Sequence, residues 1–159
     1  MNAGAHHAAG DILLFLHADT RLPPDADRLI RQALASDVQV WGRFDVQIDG
    51  KPRLLRMIAA CMNRRSRWTG IATGDQAMFM TRAAFDAVGG FAAQPLMEDI
   101  EMSARLCVLS RPACLRAPVV TSGRRWESRG VWRTVLLMWR LRLAYWRGAA
   151  PEHLARLYR

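Results

Sequence analysis

Lysine is almost missing from this sequence: of its 23 basic side chains, all but Lys51 are arginine. Cysteine is scarce too, and Cys61, Cys107 and Cys114 show neither zinc-type nor redox-type spacing. Cys61 and Cys107 fall on apolar helix faces, where a buried thiol is the default, and this usage points to a reducing, cytoplasmic compartment. No apolar stretch is long enough to span a bilayer, and no secretory signal is visible, because Ala, Gly and His stand where a basic and then an apolar run would be. Internal repeats, low-complexity tracts and an obvious linker are also lacking. At 159 residues the chain is expected to form one α/β domain over residues 1–128, with amphipathic helices over 129–159 packed on it or on a membrane.

What is present is charge of one sign, +9 net, concentrated between Arg124 and Arg147. Such a balance suits nucleic acid or an anionic membrane, and a coding bias toward Arg and Ala accounts for it equally well. No nucleic-acid recognition module accompanies it, so no nucleic-acid partner is expected.

Hydrophobic patterning divides the chain into alternating element types. The run Ile12-Leu13-Leu14-Phe15-Leu16 after Gly10 reads as a central strand buried on both faces, with His17, Asp19 and Thr20 at its C-terminal end. Open α/β sheets place ligands at that end. Pro23-Pro24-Asp25 opens a helix to about Ser36, and Val38 to Ile48 alternates as a strand. Leu54, Leu55, Ile58, Ala59 and Met62 form a helix stripe that closes on the basic cluster Arg64–Trp68. A glycine-bearing loop, Gly70 to Asp75, leads into a strand from Gln76 to Met80, and a brief helix from Arg82 to Val88 follows. Further helices are expected from Glu98 to about Ser110 and from Val131 to Trp146, with a short strand over 113–121 between them and a last helix from Pro151.

Four stretches carry residues suited to chemistry. His17 and Asp19 would point to one side if the strand continued, and could hold a divalent cation against a phosphate. They serve equally as polar caps of a turn. A phosphatase with an aspartate nucleophile at this strand end would need an acid where His17 stands. Gly74-Asp75-Gln76 is either a plain turn or a close backbone approach to a ligand. Glu98-Asp99 sits at a helix start, where the macrodipole favours acids, and one of the pair could act as a base. Ser122-Gly123-Arg124-Arg125-Trp126 offers guanidinium clamps for phosphate and a flat indole for a sugar or base, or else a surface ion-pair cluster over a buried Trp126.

The order of these stretches resembles the second half of family-2 glycosyltransferases with the GT-A fold. The resemblance lies in Asn2-Ala3-Gly4, Ala9-Gly10-Asp11, the strand to Asp19, Gly74-Asp75-Gln76, Val88-Gly89-Gly90-Phe91, and Glu98-Asp99-Ile100-Glu101-Met102-Ser103-Ala104-Arg105-Leu106. It implies a Rossmann-like mixed sheet flanked by helices and metal-dependent inverting transfer from a nucleotide-sugar donor. Asp19 would be the ligand of Mg²⁺ or Mn²⁺, with His17 beside it, and Asp99 the base, with Glu98 its neighbour. Gly74, Asp75, Arg124, Arg125 and Trp126 would bind substrate. The acceptor is unknown, and lipid-linked acceptors are frequent in such enzymes.

Departures set the expectations. His17 replaces the first acid of the family's Asp-x-Asp motif, and Ser122 stands where processive members have Gln. The nucleotide-binding half that precedes the metal strand in that family has no counterpart here, so an N-terminally truncated domain is expected, completed by a homodimer or by another segment. The alternative function is an inactive fragment that oligomerises or associates with a membrane. The helix from Val131 to Trp146, with Arg133, Arg140 and Arg147 every seven residues, suits either peripheral contact with the inner face of a membrane or ordinary packing.

Overall fold

The computed structural model describes residues 1–36 and 38–158. The elements, in chain order, are α1 (Asn2–His7), β1 (Ile12–Phe15), β2 (Thr20–Arg21), α2 (Ala26–Ala33), β3 (Trp41–Asp49), α3 (Leu54–Thr69), a 3-10 turn (Gly74–Gln76), β4 (Met78–Thr81), α4 (Arg82–Ala87), α5 (Glu98–Leu109), β5 (Ala113–Ser122), α6 (Arg124–Arg129), α7 (Val131–Trp146) and α8 (Pro151–Tyr158). Five strands form one mixed sheet in the order β1-β4-β3-β5-β2, flanked by helices. The β3–β5 pair is parallel and the other pairs are antiparallel.

The apolar run at β1 corrects one expectation. The strand lies at an edge of the sheet and, among the described residues, pairs only with β4, from Ile12 opposite Thr81 to Phe15 opposite Met78. Leu13 and Phe15 pack into one core cluster, with Trp41, Met80, Phe85 and Met102, whereas Ile12 and Leu14 pack into another, with Phe44, Phe79 and Leu55. A continuous apolar run reports two covered faces; it carries no information about lateral neighbours. The strand also stops at Phe15, so His17 and Asp19 sit in a turn closed by the Thr20 N–H on the His17 carbonyl at 3.1 Å.

β3 is the central strand, and its polar alternates are withdrawn from solvent at Arg43 and Asp45 but exposed at Gln47 and Asp49. Arg43 is fully buried and forms an ion pair with Asp45, whose other oxygen accepts from Arg67 Nη2 of α3 at 2.5 Å. The strand begins at Trp41, and Val38 is 77% exposed. β4 accompanies β3 only over Trp41–Arg43, which leaves the next residues open on that side. Asn63 of α3 fills the gap: its side-chain amide donates to the Val46 carbonyl at 3.0 Å and accepts from the Val46 N–H at 2.9 Å. The amide thereby does for one residue what a neighbouring strand would do. On the β5 side the register shifts between Phe44 and Asp45, opposite Leu115 and Pro118, so Pro118 borders a bulge inside a continuous β5.

Other expectations also change. The Gln76 position belongs to the 3-10 turn, not to a strand, and Arg124–Arg129 forms a short helix of its own. Cys61 is exposed and Cys107 half-buried, with all three thiols free. α7 has the expected bounds, Val131–Trp146, and with α8 it packs through Leu141 and Leu154 on Met97 and Ile100 of the α5 region. Among the described residues no helix is long and apolar enough to cross a membrane.

Removing the Asn63 amide strands two backbone groups of Val46 inside the structure. Asn63→Ala should lower the free energy of unfolding by roughly 2 to 4 kcal/mol, read from urea denaturation at unchanged m-value.

Candidate functional site

Asp99 begins α5 with both carboxylate oxygens engaged by backbone donors. Oδ2 accepts from the Gly74 N–H at 2.8 Å and Oδ1 from the Ile100 N–H at 2.8 Å. An acid at a helix start meets unpaired N–H groups and the positive end of the macrodipole. One turn later Ser103, fully buried, donates to the Asp99 carbonyl at 2.7 Å and accepts from the Ala72 N–H at 3.1 Å. The loop carrying Gly74 and Asp75 is thus hung from α5 at two points. Arg105 ties down a second loop, binding Glu101 at 2.5 Å and the carbonyls of Gly90, at 2.7 Å, and Val88. Gly89 and Gly90 there take φ of 76° and 73°, a region that side chains disfavour. The acidic motif is therefore a single mechanical unit in which each polar side chain holds a different loop.

Gly74 has a further reason to be glycine. A Cβ on it would lie 2.3 Å from His17 Nε2, so the imidazole rests directly on the Gly74 backbone. His17 Nδ1 is 3.6 Å from Asp75 Oδ1. That contact raises the His17 pKa above its ordinary value, against partial burial, with the charges of Asp75, Asp19 and Asp99 adding to it.

The residues to which the resemblance gives a role, His17, Asp19, Gly74, Asp75, Glu98, Asp99, Arg124, Arg125 and Trp126, all line one open cavity of about 1680 Å³. They come together unevenly. His17, Gly74, Asp75 and Asp99 form a linked cluster. The α6 residues stand apart on their own helix, which is anchored by the Lys51 N–H on Glu127 Oε1 at 2.8 Å. Arg125 stacks over the Tyr158 ring at 4.4 Å, Trp126 is half-buried against the second core cluster, and Arg124 is exposed.

Among the described residues no group of three or more His, Cys, Asp and Glu side chains is arranged to hold a metal ion. Asp19 is exposed, and His17 is its nearest companion in the chain. One carboxylate with one imidazole suits Mg²⁺ or Mn²⁺ only where phosphate oxygens and water complete the shell.

The cavity also contains two arginines that sequence reasoning passed over, Arg65 of α3 and Arg142 of α7. Burial lowers the pKa of both, and the Arg142 charge adds to the effect on Arg65, which is lowered to about 10. A signal for them existed. Arg65 continues the stripe of Ile58 and Met62, and Arg142 that of Val135 and Met138, so each sits where its helix otherwise turns apolar residues inward.

Comparisons of the chain with family models, with curated proteins and with solved structures gave no match.

Ser103→Ala should release the Ala72 N–H and loosen the loop over Thr73–Gln76. Amide hydrogen exchange should accelerate at least tenfold in that loop and stay unchanged in the centre of β3, at an overall cost of roughly 1 to 3 kcal/mol.

Proposed function

We propose that this chain is a GT-A-like domain of an inverting, metal-dependent glycosyltransferase, which moves a sugar from a nucleotide donor to an acceptor hydroxyl. The observation that carries this reading is the convergence of its separate motif stretches on one cavity, with Asp99 held there by two backbone donors. The motif resemblance supplies the reaction class, and the geometry supplies a reason for the motif's spacing.

In this reading Asp99 removes the proton from the acceptor hydroxyl as that oxygen attacks the anomeric carbon and the diphosphate leaves. Its attachment to Gly74 and Ile100 fixes the carboxylate while leaving a second lone pair on each oxygen for the acceptor. Asp19, with His17 beside it, would hold Mg²⁺ or Mn²⁺. When bound, the ion offsets negative charge developing on the leaving diphosphate. Arg124 and Arg125 stand at the cavity wall, where the donor's phosphates or the acceptor can meet them.

A second reading, an oligomerising fragment without turnover, draws on the outer edge of β1, which has no strand partner among the described residues. Metal-dependent transfer by the chain separates the two.

The outer face of α7 supports peripheral contact with an anionic membrane. Trp132, Leu136, Trp139, Leu143 and Trp146 follow one another at helical spacing and are 48–78% exposed. Arg133, Arg140 and Arg147 are exposed beside them. Indoles at a polar–apolar boundary next to arginines fit a headgroup layer, and the opposite face is already occupied by α8.

Asp99→Asn keeps an oxygen for the Gly74 N–H and removes the base, so transfer should fall 100-fold or more while donor binding and melting temperature hold. Full transfer by that variant excludes the assignment. Asp19→Ala should weaken donor binding only when metal is present, as calorimetry would read. For the membrane contact, co-sedimentation with phosphatidylglycerol vesicles should exceed that with phosphatidylcholine and drop several-fold in Arg133→Gln/Arg140→Gln. Equal sedimentation of that variant would refute it.

A further inference from the structure

The reaction outlined above leaves the two innermost cations of the cavity without a task. Arg65 and Arg142 reach it from different helices, α3 and α7. The Nε and Nη2 groups of Arg65 and the Nε group of Arg142 are shut off from solvent with no acceptor. Guanidinium N–H groups left bare inside a protein are costly, and two such cations near each other add repulsion. The surrounding acids do not cancel them. Asp99 acts on both and Asp75 on Arg142, yet only through space: Asp99 is bound to the Gly74 and Ile100 N–H groups, and Asp75 faces His17.

Other arginines of this chain show what a structural role looks like. Arg43 and Arg67 share Asp45, Arg105 binds Glu101 and two carbonyls, and Arg82 binds the carbonyls of Ala5, Ala8 and Gly10, so that even where Nε is bare, in Arg43 and Arg105, the Nη groups meet a countercharge. Among the described residues Arg65 and Arg142 make no such contacts, although the apolar stripes of their helices would accommodate Met or Leu at both positions. Planar guanidinium forks match the oxygens of a phosphate, and two of them offset its charge in a partly dry setting.

The geometry points to Arg65 and Arg142 as a phosphoryl-binding pair that holds a phosphate group of a substrate beside Asp99. The assignment of that group to a glycosyl-transfer substrate rests on the proposed function, but the anion site does not. Two sources share this chemistry: the diphosphate of the donor and a phosphate carried by the acceptor. The apolar walls from Ile58, Met62, Val135 and Met138 would receive the body of an acceptor that carried such a group.

Calorimetric titration of the full chain with inorganic phosphate, pyrophosphate and decyl phosphate, without metal or sugar nucleotide, tests the site. At least one of these should bind the unaltered protein, and Arg65→Gln and Arg142→Gln should each weaken it tenfold or more. Arg142→Lys, which keeps the charge and loses the fork, should retain part of the affinity, and Arg116→Gln, exposed and outside the cavity lining, should retain all of it. Without ligand, Arg65→Gln should melt at the same temperature or higher, since it relieves repulsion; a purely structural arginine would lower it. Tightest binding of pyrophosphate assigns the donor, and tightest binding of decyl phosphate assigns the acceptor. No binding by the unaltered chain, or undiminished binding by the Arg65→Gln/Arg142→Gln variant, overturns the proposal. Failure of the glycosyltransferase reading would show instead as absent transfer with phosphate binding intact.

Discussion

Burial of Arg43 in the central strand is the constraint on which the rest of this structure depends. A guanidinium with no exposure needs a countercharge and acceptors close at hand. Asp45 supplies the charge and the Asn63 carbonyl accepts from Arg43 Nη2 at 3.0 Å, while Arg67 shares Asp45 and reaches the Cys114 carbonyl of β5 at 3.1 Å. One network therefore joins β3, α3 and β5 at the bulge, and breaking it would leave an uncompensated charge worth about 3 to 5 kcal/mol. Asn63 extends the same fastening to Val46 and, through Gln76 at 3.3 Å, to the 3-10 turn. With α3 fixed in this way, the position of Arg65 on its inner face follows.

The second fastening is α5. Its first two turns hold the Gly74 loop through Asp99 and Ser103 and the Gly89-Gly90 turn through Arg105. A carboxylate that serves as both loop anchor and candidate base is kept from wandering by the fold itself. The residue before the helix, Met97, is 3% exposed and adopts a left-handed conformation at φ 66°, so local strain and packing meet at the entrance to the helix.

Stability and function pull apart in the cavity. In the Arg43 cluster a buried guanidinium keeps one bare nitrogen, Nε, yet meets a carboxylate and a carbonyl through its Nη groups. Arg65 stands two residues from the well-paired Arg67, yet its Nε and Nη2 groups, like the Nε group of Arg142, are buried without an acceptor among the described residues. Unpartnered buried polar groups of this kind mark places where folding is compromised for another purpose. The exposed Trp and Leu face of α7 is the same departure in apolar form, since a helix already packed on one side keeps large side chains bare on the other.

Much of this was legible in the chain itself. Periodicity set α7 to its observed ends and α5 to within a residue of its expected end, because helix signals are local: an apolar stripe, acids at the start and a proline after the stop. The candidate residues at 17, 19, 74, 75, 98, 99 and 124–126 were also named by local chemistry and motif order, and they share one cavity. Strand order was another matter. The run at β1 showed that both faces would be covered, and only long-range pairing put the strand at an edge. Alternation in β3 sets Arg43 on the face opposite Phe44, Val46 and Ile48, whereas partners 2, 20 and 24 positions along the chain allow its burial or share its countercharge. Arg65 and Arg142 lie far apart in sequence and meet only because α3 and α7 line the same cavity. A sequence pattern states which side of an element is covered; what covers it, and which charges are left facing each other, is decided by packing between segments that share no local signal.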